Sequence, residues 1–161
     1  MKIQLMVTGR TRDEALRSLT DKYTARVQRY VPFEIIELPD VRTTRATTEA
    51  SQKLSEGIQM LKQIHPSDFV MLLDERGKQM TSREFSTFID RKMSTLPRNL
   101  IFVVGGPYRF SEEVRQRADA LLGLSAMTFS HEMVRPFFVE QIYRAMTILR
   151  GEPYLSLIHI S

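Results

Sequence analysis

Residues Leu100–Phe110 read LIFVVGGPYRF. Five apolar residues run without a break and stop at Gly105-Gly106-Pro107. A strand apolar on both faces must be covered on both faces, as in the middle of a parallel sheet. Phe69–Leu73 (FVMLL) repeats the pattern earlier in the chain. Lys2–Gly9 (KIQLMVTG) alternates and ends on glycine, and Phe33–Leu38 (FEIIEL) is closed by Pro39. Both read as strands.

Between them the apolar period lengthens to that of a helix. Leu16, Leu19, Tyr23, Val27 and Tyr30 form one stripe, ended by Pro32. Leu54, Ile58 and Leu61 form a second, ended at His65-Pro66. Phe85, Phe88, Ile89 and Met93 form a third, and Val114, Ala118 and Leu121 a short fourth. Val134, Phe138, Ile142, Ala145 and Leu149 form a long fifth, stopped by Gly151. Thr11 with Glu14, and Thr81 with Glu84, have the spacing of a capping box, and Ser111 is placed to cap the fourth helix. Pro39–Thr48 is a loop and Asp74–Lys78 a turn. Leu124–Phe129 (LSAMTF) reads as a short strand or a tight apolar loop. Strand and helix alternate five times. The fold class is therefore α/β, a mostly parallel sheet with helices on both faces.

The 161 residues suit one domain, taken as 1–161. At 42% hydrophobic and 26% charged, the composition is that of a globular protein, and no apolar run approaches the length of a membrane span. The start of the chain lacks a secretory pattern. With no cysteine there is no disulfide framework and no thiolate metal site, so the cytoplasm is the expected location. Net charge is +4, and the excess is spread along the chain rather than gathered in a basic arm. That balance is compatible with a nucleic-acid partner without specifying one.

Ligands of open α/β sheets gather at the carboxyl ends of the strands. Three ends here are chemically distinctive: Leu73-Asp74, Val104-Gly105-Gly106 and Leu124–Phe129. The glycine pair reads either as a turn with positive φ or as bare backbone against a ligand. Neither GxGxxG nor GxxxxGK[ST] occurs, which excludes the usual dinucleotide and P-loop sites. In LSAMTFSHEMVR (Leu124–Arg135), Met127 and Phe129 stand among Ser125, Thr128, Ser130 and His131, the mixture of an apolar slot with a polar rim. Ser130 also suits the N-cap of the last helix. His65, His131 and His159 are scattered, so no metal site is expected. His131 remains open as a general base. Glu140 and Arg144 stand at i,i+4, which fits an intrahelical ion pair or an arginine turned to RNA or a partner subunit.

The segments LDERGK, FVVGGPYRFS, LSAMTFSHEMVR and VEQIYRAMTILRGEPY, in this order and spacing, resemble the ribosomal RNA large-subunit methyltransferase H family. These are small SPOUT-class methyltransferases, and the likeness runs from Met1 to Tyr154. The resemblance implies transfer of a methyl group from S-adenosylmethionine to N3 of a pseudouridine in 23S rRNA of the assembled 70S ribosome. It implies a C-terminal trefoil knot whose loops form the cofactor pocket, and a homodimer with that pocket at the interface. By motif, Leu73, Gly105, Leu124, Ser125, Ala126, Met127, Thr128 and Phe129 fall on cofactor positions, and Gly106 shares the bare backbone beside them. Within this reading, Met127 and Phe129 cover the adenine. Arg135, then Arg144, faces the base carbonyls, and His131 is a candidate for the N3 proton. The tail departs from the family pattern: Leu155 stands where a histidine follows the tyrosine, and His159 is displaced from it. A non-catalytic ribosome-binding or assembly factor that keeps the fold is the alternative.

Overall fold

Five parallel strands pair in the order β2-β1-β4-β3-β5 in the computed structural model, which describes residues 1–154. The expectations for Leu155 and His159 lie outside the described residues. The strands are β1 (Ile3–Thr8), β2 (Phe33–Leu38), β3 (Phe69–Gln79), β4 (Leu100–Val104) and β5 (Ala120–Gly123). The helices are α1 (Glu14–Val27), α2 (Glu49–Lys62), α3 (Ser82–Thr95), α4 (Glu112–Arg117) and α5 (Val134–Leu149). β4 lies between β1 and β3, in register with both: Leu100 stands opposite Ile3 and Phe69. Its continuous apolar run is thereby explained, because all five residues are buried.

Side chains alternate across the pleat and divide the core in two. On one face Ile3, Leu5, Val7, Phe102 and Val104 meet Phe85 and Ile89 of α3 and Phe138, Val139 and Ile142 of α5. On the other, Met6, Val70, Leu72, Ile101 and Val103 meet Met60 of α2, Val114 of α4 and Phe110. Phe102 and Phe138 pack edge to face, with centroids 4.8 Å apart.

Helix starts follow side-chain chemistry. Thr81 and Glu84 form the expected reciprocal capping box, and Ser111 caps α4 by accepting from the Val114 amide. Thr11 and Glu14 do not form a box. Asp13 is the cap of α1, accepting from the amides of Ala15 and Leu16. Ser130 closes the turn ahead of α5 rather than the helix itself: its Oγ accepts from the Met133 amide and its carbonyl from Val134.

Three further expectations are corrected. Asp74–Lys78 is not a turn that ends the strand. β3 runs on to Gln79, and both Leu73 and Lys78 register with Leu122, so the residues between bulge out of the ladder. A Cβ on Gly77 would lie 2.6 Å from the Leu122 amide nitrogen, so only glycine permits this approach. The fifth strand is Ala120–Gly123, not the run from Leu124, and Leu121 belongs to it rather than to the fourth helix. On α2, Leu54 and Ile58 of the expected stripe face outward and Leu61 is partly buried, while Glu56, Gly57 and Met60 are buried.

These placements separate two apolar residues that look alike in sequence. Phe138→Ala is expected to destabilise the fold by about 3–5 kcal/mol. Leu54→Ala is expected to change stability by less than about 0.5 kcal/mol. Urea unfolding of both variants tests the assignment, and equal losses would contradict it.

Candidate functional site

In a parallel sheet all the strand carboxyl ends lie along one edge, and a cavity of about 330 Å³ opens there. It is lined by Leu73, Asp74 and Glu75 after β3, by Val104 to Pro107 with Arg109 and Phe110 after β4, and by Leu122, Leu124, Ser125 and Met127 to His131 after β5. Val134 of α5 closes it. The sequence-selected Leu73, Gly105, Gly106, Leu124, Ser125, Met127, Thr128, Phe129 and His131 are thus brought to one cleft. Ala126 lies in the same loop but does not line the cavity.

The loop 124–130 keeps its backbone available. Ser125 Oγ accepts from the Met127 amide at 3.0 Å. The amides of Ser125, Ala126, Thr128 and Phe129 have no hydrogen-bond partner among the described residues. Free donors beside Leu73, Leu122, Leu124 and Phe110 suit a ligand that is flat, apolar on its faces and edged with acceptors. A purine nucleoside has this form, so the residues present fit S-adenosylmethionine. Met127 is 79% exposed, however, and Phe129 is exposed as well. In the single chain neither acts as core, and neither closes the cleft.

Gly105 and Gly106 line the cavity, yet neither has positive φ. Neither of the two meanings offered for a glycine here is the whole account. A Cβ on Gly106 would lie 2.5 Å from Glu56 Oε1, and one on Gly105 3.3 Å from Arg109 Cα and from the Phe110 ring. The missing side chains make room for the protein's own carboxylate and returning loop. Glu56 is 3% exposed and its Oε1 has no hydrogen-bond partner among the described residues. Burial raises its pKa, so the protonated form is favoured relative to a free glutamate. The loop returns through Arg109, whose φ of 68° is left-handed, and its guanidinium pairs with Glu75 at the cleft.

Asp74, read from the sequence as part of a distinctive strand end and of a turn, was given no role of its own there. It is buried and accepts from the Arg76 amide at 2.9 Å, from Arg76 Nε and Nη2 at 3.2 and 3.1 Å, and from Arg115 Nη2 at 3.1 Å. The hydrogen bonds from Arg76 hold its pKa well below the usual carboxylate value, against the opposing effect of burial. The network pins the β3 bulge that forms one wall of the cleft.

Arg135 does not face the cleft, contrary to expectation. It is 1% exposed. Nε donates to the His131 carbonyl at 2.9 Å, Nη1 to the Gly9 carbonyl at 2.9 Å and Thr11 Oγ1 at 3.2 Å, and Nη2 to the Thr8 carbonyl at 2.9 Å. Its donors are taken up by backbone, so the role of meeting a base carbonyl gives way to that of a buried strut. Arg144 also lies off the cavity. It donates through Nε to both oxygens of Glu140, at 2.7 and 2.8 Å, and Tyr154 donates to the same carboxylate at 3.1 Å. The plain i,i+4 ion pair accounts for it.

A parallel α/β sheet with a nucleoside-sized cleft at its carboxyl edge defines a class of small-ligand enzymes. A sequence model described as "Predicted SPOUT methyltransferase" matches residues 1–155. The ribosomal RNA large subunit methyltransferase H of Parabacteroides distasonis is 49% identical over 154 residues, covering 96% of this chain and 98% of that protein. The protein of the same name from Christiangramia forsetii is 51% identical with the same coverage. Among solved structures, a probable methyltransferase from Bordetella pertussis Tohama I matches with a TM-score of 0.53 at 10% identity, over 90% of this chain and 93% of that one, a likeness of fold alone. The chain belongs to the SPOUT methyltransferases, within the ribosomal RNA large subunit methyltransferase H family.

Two outcomes follow from the contacts. Arg135→Ala is expected to lower stability by roughly 3–5 kcal/mol, because it leaves a cavity and four buried acceptors without donors. Thermal unfolding and calorimetric titration with S-adenosylmethionine should show stability and cofactor affinity falling together. A stable variant that binds normally would refute the strut. For Asp74 the folded pKa is depressed, so its contribution is complete above the unfolded value of about 3.9 and is lost as pH falls below it. Asp74→Asn should therefore flatten the acid limb of the stability–pH curve. An unchanged limb between the two proteins would argue against the network.

Proposed function

We propose that this methyltransferase modifies N3 of a pseudouridine in 23S rRNA of the assembled 70S ribosome, acting as a homodimer. S-adenosylmethionine is the methyl donor of its class, and ribosomal RNA is the substrate named for its relatives. The observation that carries the reading is convergence: the segments at Leu73, Gly105-Gly106 and 124–129, distant in sequence, wall one cavity. A knotted path through these segments, as the family implies, belongs to the same proposal.

The bound cofactor supplies an electrophilic methyl carbon on a sulfonium. The chain's residues supply the rest. Leu73, Leu122, Leu124 and Phe110 offer an apolar slot, and the free amides of Ser125, Ala126, Thr128 and Phe129 offer donors to its edges. Holding donor and acceptor in line within a slot that excludes water lowers the barrier without a metal. N3 of pseudouridine carries a proton that must leave as the N3–carbon bond forms. His131 lies in the cleft wall and, with a solvent path as the alternative, is the proposed acceptor of that proton. Arg109 also lines the cleft, and its guanidinium, paired there with Glu75, would stabilise negative charge spreading to the base carbonyls only on leaving that partner.

The homodimer is supported by what the single chain leaves bare. Met127, Phe129, Met133 and Phe137 are exposed. A second cavity of about 200 Å³, lined by Met80, Phe85, Phe129, Phe137 and Phe138, adjoins the cleft through Leu122 and Leu124. Apolar surface of this kind at the mouth of a site marks an interaction face.

Isotope-labelled methyl transfer tests the proposal with 70S ribosomes, free subunits and transfer RNA side by side. Label is expected in 23S rRNA of 70S ribosomes, at N3 of one pseudouridine on mass mapping, with sedimentation of the enzyme giving a dimer. Ribosome binding without label would favour the non-catalytic assembly factor. Label confined to transfer RNA would overturn the substrate.

A further inference from the structure

The cleft accounts for a base and a cofactor. It does not account for three exposed arginines at the same edge of the sheet. Arg10 follows β1, and Arg42 and Arg45 lie in the loop that follows β2. None of the three has an ion-pair, hydrogen-bond or aromatic partner through its side chain among the described residues. Of the neighbouring carboxylates, Asp40, Asp13 and Glu132 are already committed, while Glu37 near the end of β2 has no ion-pair partner among the described residues. Asp40 takes Arg12 Nη2 at 3.1 Å, Asp13 caps α1, and Glu132 accepts from the amides of Arg12 and Asp13. Glu14 and Glu49 stand in the first turns of α1 and α2, where the helix dipole favours them.

These loops are joined to the cleft by bonds. Arg135 ties the carbonyls of Thr8 and Gly9 to that of His131, a cleft residue. Glu132 ties Arg12 and Asp13 to the same segment, and Arg12 ties that loop to Asp40 at the root of the β2 loop. The loops that carry these arginines are therefore held, through bonds, to the segment that forms the cleft wall.

We propose that the β1–α1 and β2–α2 loops form the docking surface for the phosphodiester backbone of folded RNA, with Arg10, Arg42 and Arg45 as its contacts. The proposal rests on the substrate reading given above and names the surface that reading lacks. Backbone contacts of this type position a substrate without reading its sequence. They act mainly on affinity and its salt dependence.

The test compares two charge-matched triple variants of the full chain. One is Arg10→Ala/Arg42→Ala/Arg45→Ala. The other is Arg29→Ala/Lys62→Ala/Arg91→Ala, three exposed cations near the carboxyl ends of α1, α2 and α3, at the opposite edge. Co-sedimentation with 70S ribosomes is measured between about 50 and 200 mM salt. The first triple should bind roughly 10- to 100-fold more weakly, with a salt slope reduced by about 2–3. The second should stay within about 2-fold. Calorimetry with S-adenosylmethionine should be unchanged in both. Equal weakening of the two triples, or of neither, overturns the proposal. Absence of methyl transfer by the parent chain would count against the substrate reading alone, because ribosome binding is scored separately.

Discussion

The Arg135 guanidinium is almost wholly withdrawn from water, and the cleft depends on the bonds it makes there. Desolvation of such a group is costly, and burial accordingly lowers its pKa. The cost is offset by carbonyls from three positions in the chain, at Thr8, Gly9 and His131, and by the Thr11 hydroxyl. The planar fork of arginine can meet acceptors in several directions at once, which a lysine ammonium on the same stem cannot. The result is a fixed distance between the carboxyl end of β1 and the segment that leads into α5. Glu132 reinforces it from outside by holding two amides of the same loop. A cleft wall built from loop 124–133 would otherwise hang on few contacts of its own.

The opposite wall is shaped by a second buried ionisable group of the other sign. Glu56 stands against Gly106, in the space where any other residue would carry a Cβ. Burial raises its pKa, and its Oε1 finds no hydrogen-bond partner among the described residues. The glycine pair and this glutamate are thus one packing solution, distributed over α2 and the end of β4. Asp74 solves the neighbouring problem differently. It keeps its charge and distributes it over Arg76 and Arg115, which holds the β3 bulge. Two acids, Asp74 in the cleft wall and Glu56 buried behind it, are pushed in opposite directions, by hydrogen bonding in one case and by burial in the other.

How far the sequence revealed this depends on which signals are local. Leu100–Val104 and Phe69–Leu73 were legible because a doubly buried strand must be apolar throughout. Thr81 with Glu84, and Ser111, were legible because caps act over three residues. β5 was hidden because Leu121 continues the helical spacing of Val114 and Ala118, and a four-residue strand carries no period of its own. The outward stripe of α2 misled because its inward face carries Glu56 and Gly57, whose burial only Gly106 and Ser111 explain. The cleft's location followed from strand polarity and from the family motifs, which marked Leu73, Gly105 and the 124–129 loop. The bonds that Arg135 and Arg144 make were not legible for a common reason. Charge is visible in a sequence, but the acceptors that neutralise it are contributed by residues as remote as Thr8 and Gly9, or by a carboxylate one turn away.

The exposed apolar residues at the cleft mouth bind these features together. Met127, Phe129, Met133 and Phe137 would be a liability on a protein that stays single. Phe129 and Leu124 line both the cleft and the adjoining apolar cavity. In the proposed dimer, whatever covers the second cavity also fixes side chains that bound the first. Ordering those side chains on assembly removes an entropic cost that the cofactor would otherwise meet alone. Linkage then requires the converse, that filling the cleft strengthens assembly by the same factor. In the proposed dimer, a loop with free amides and an exposed methionine would be completed from two sides.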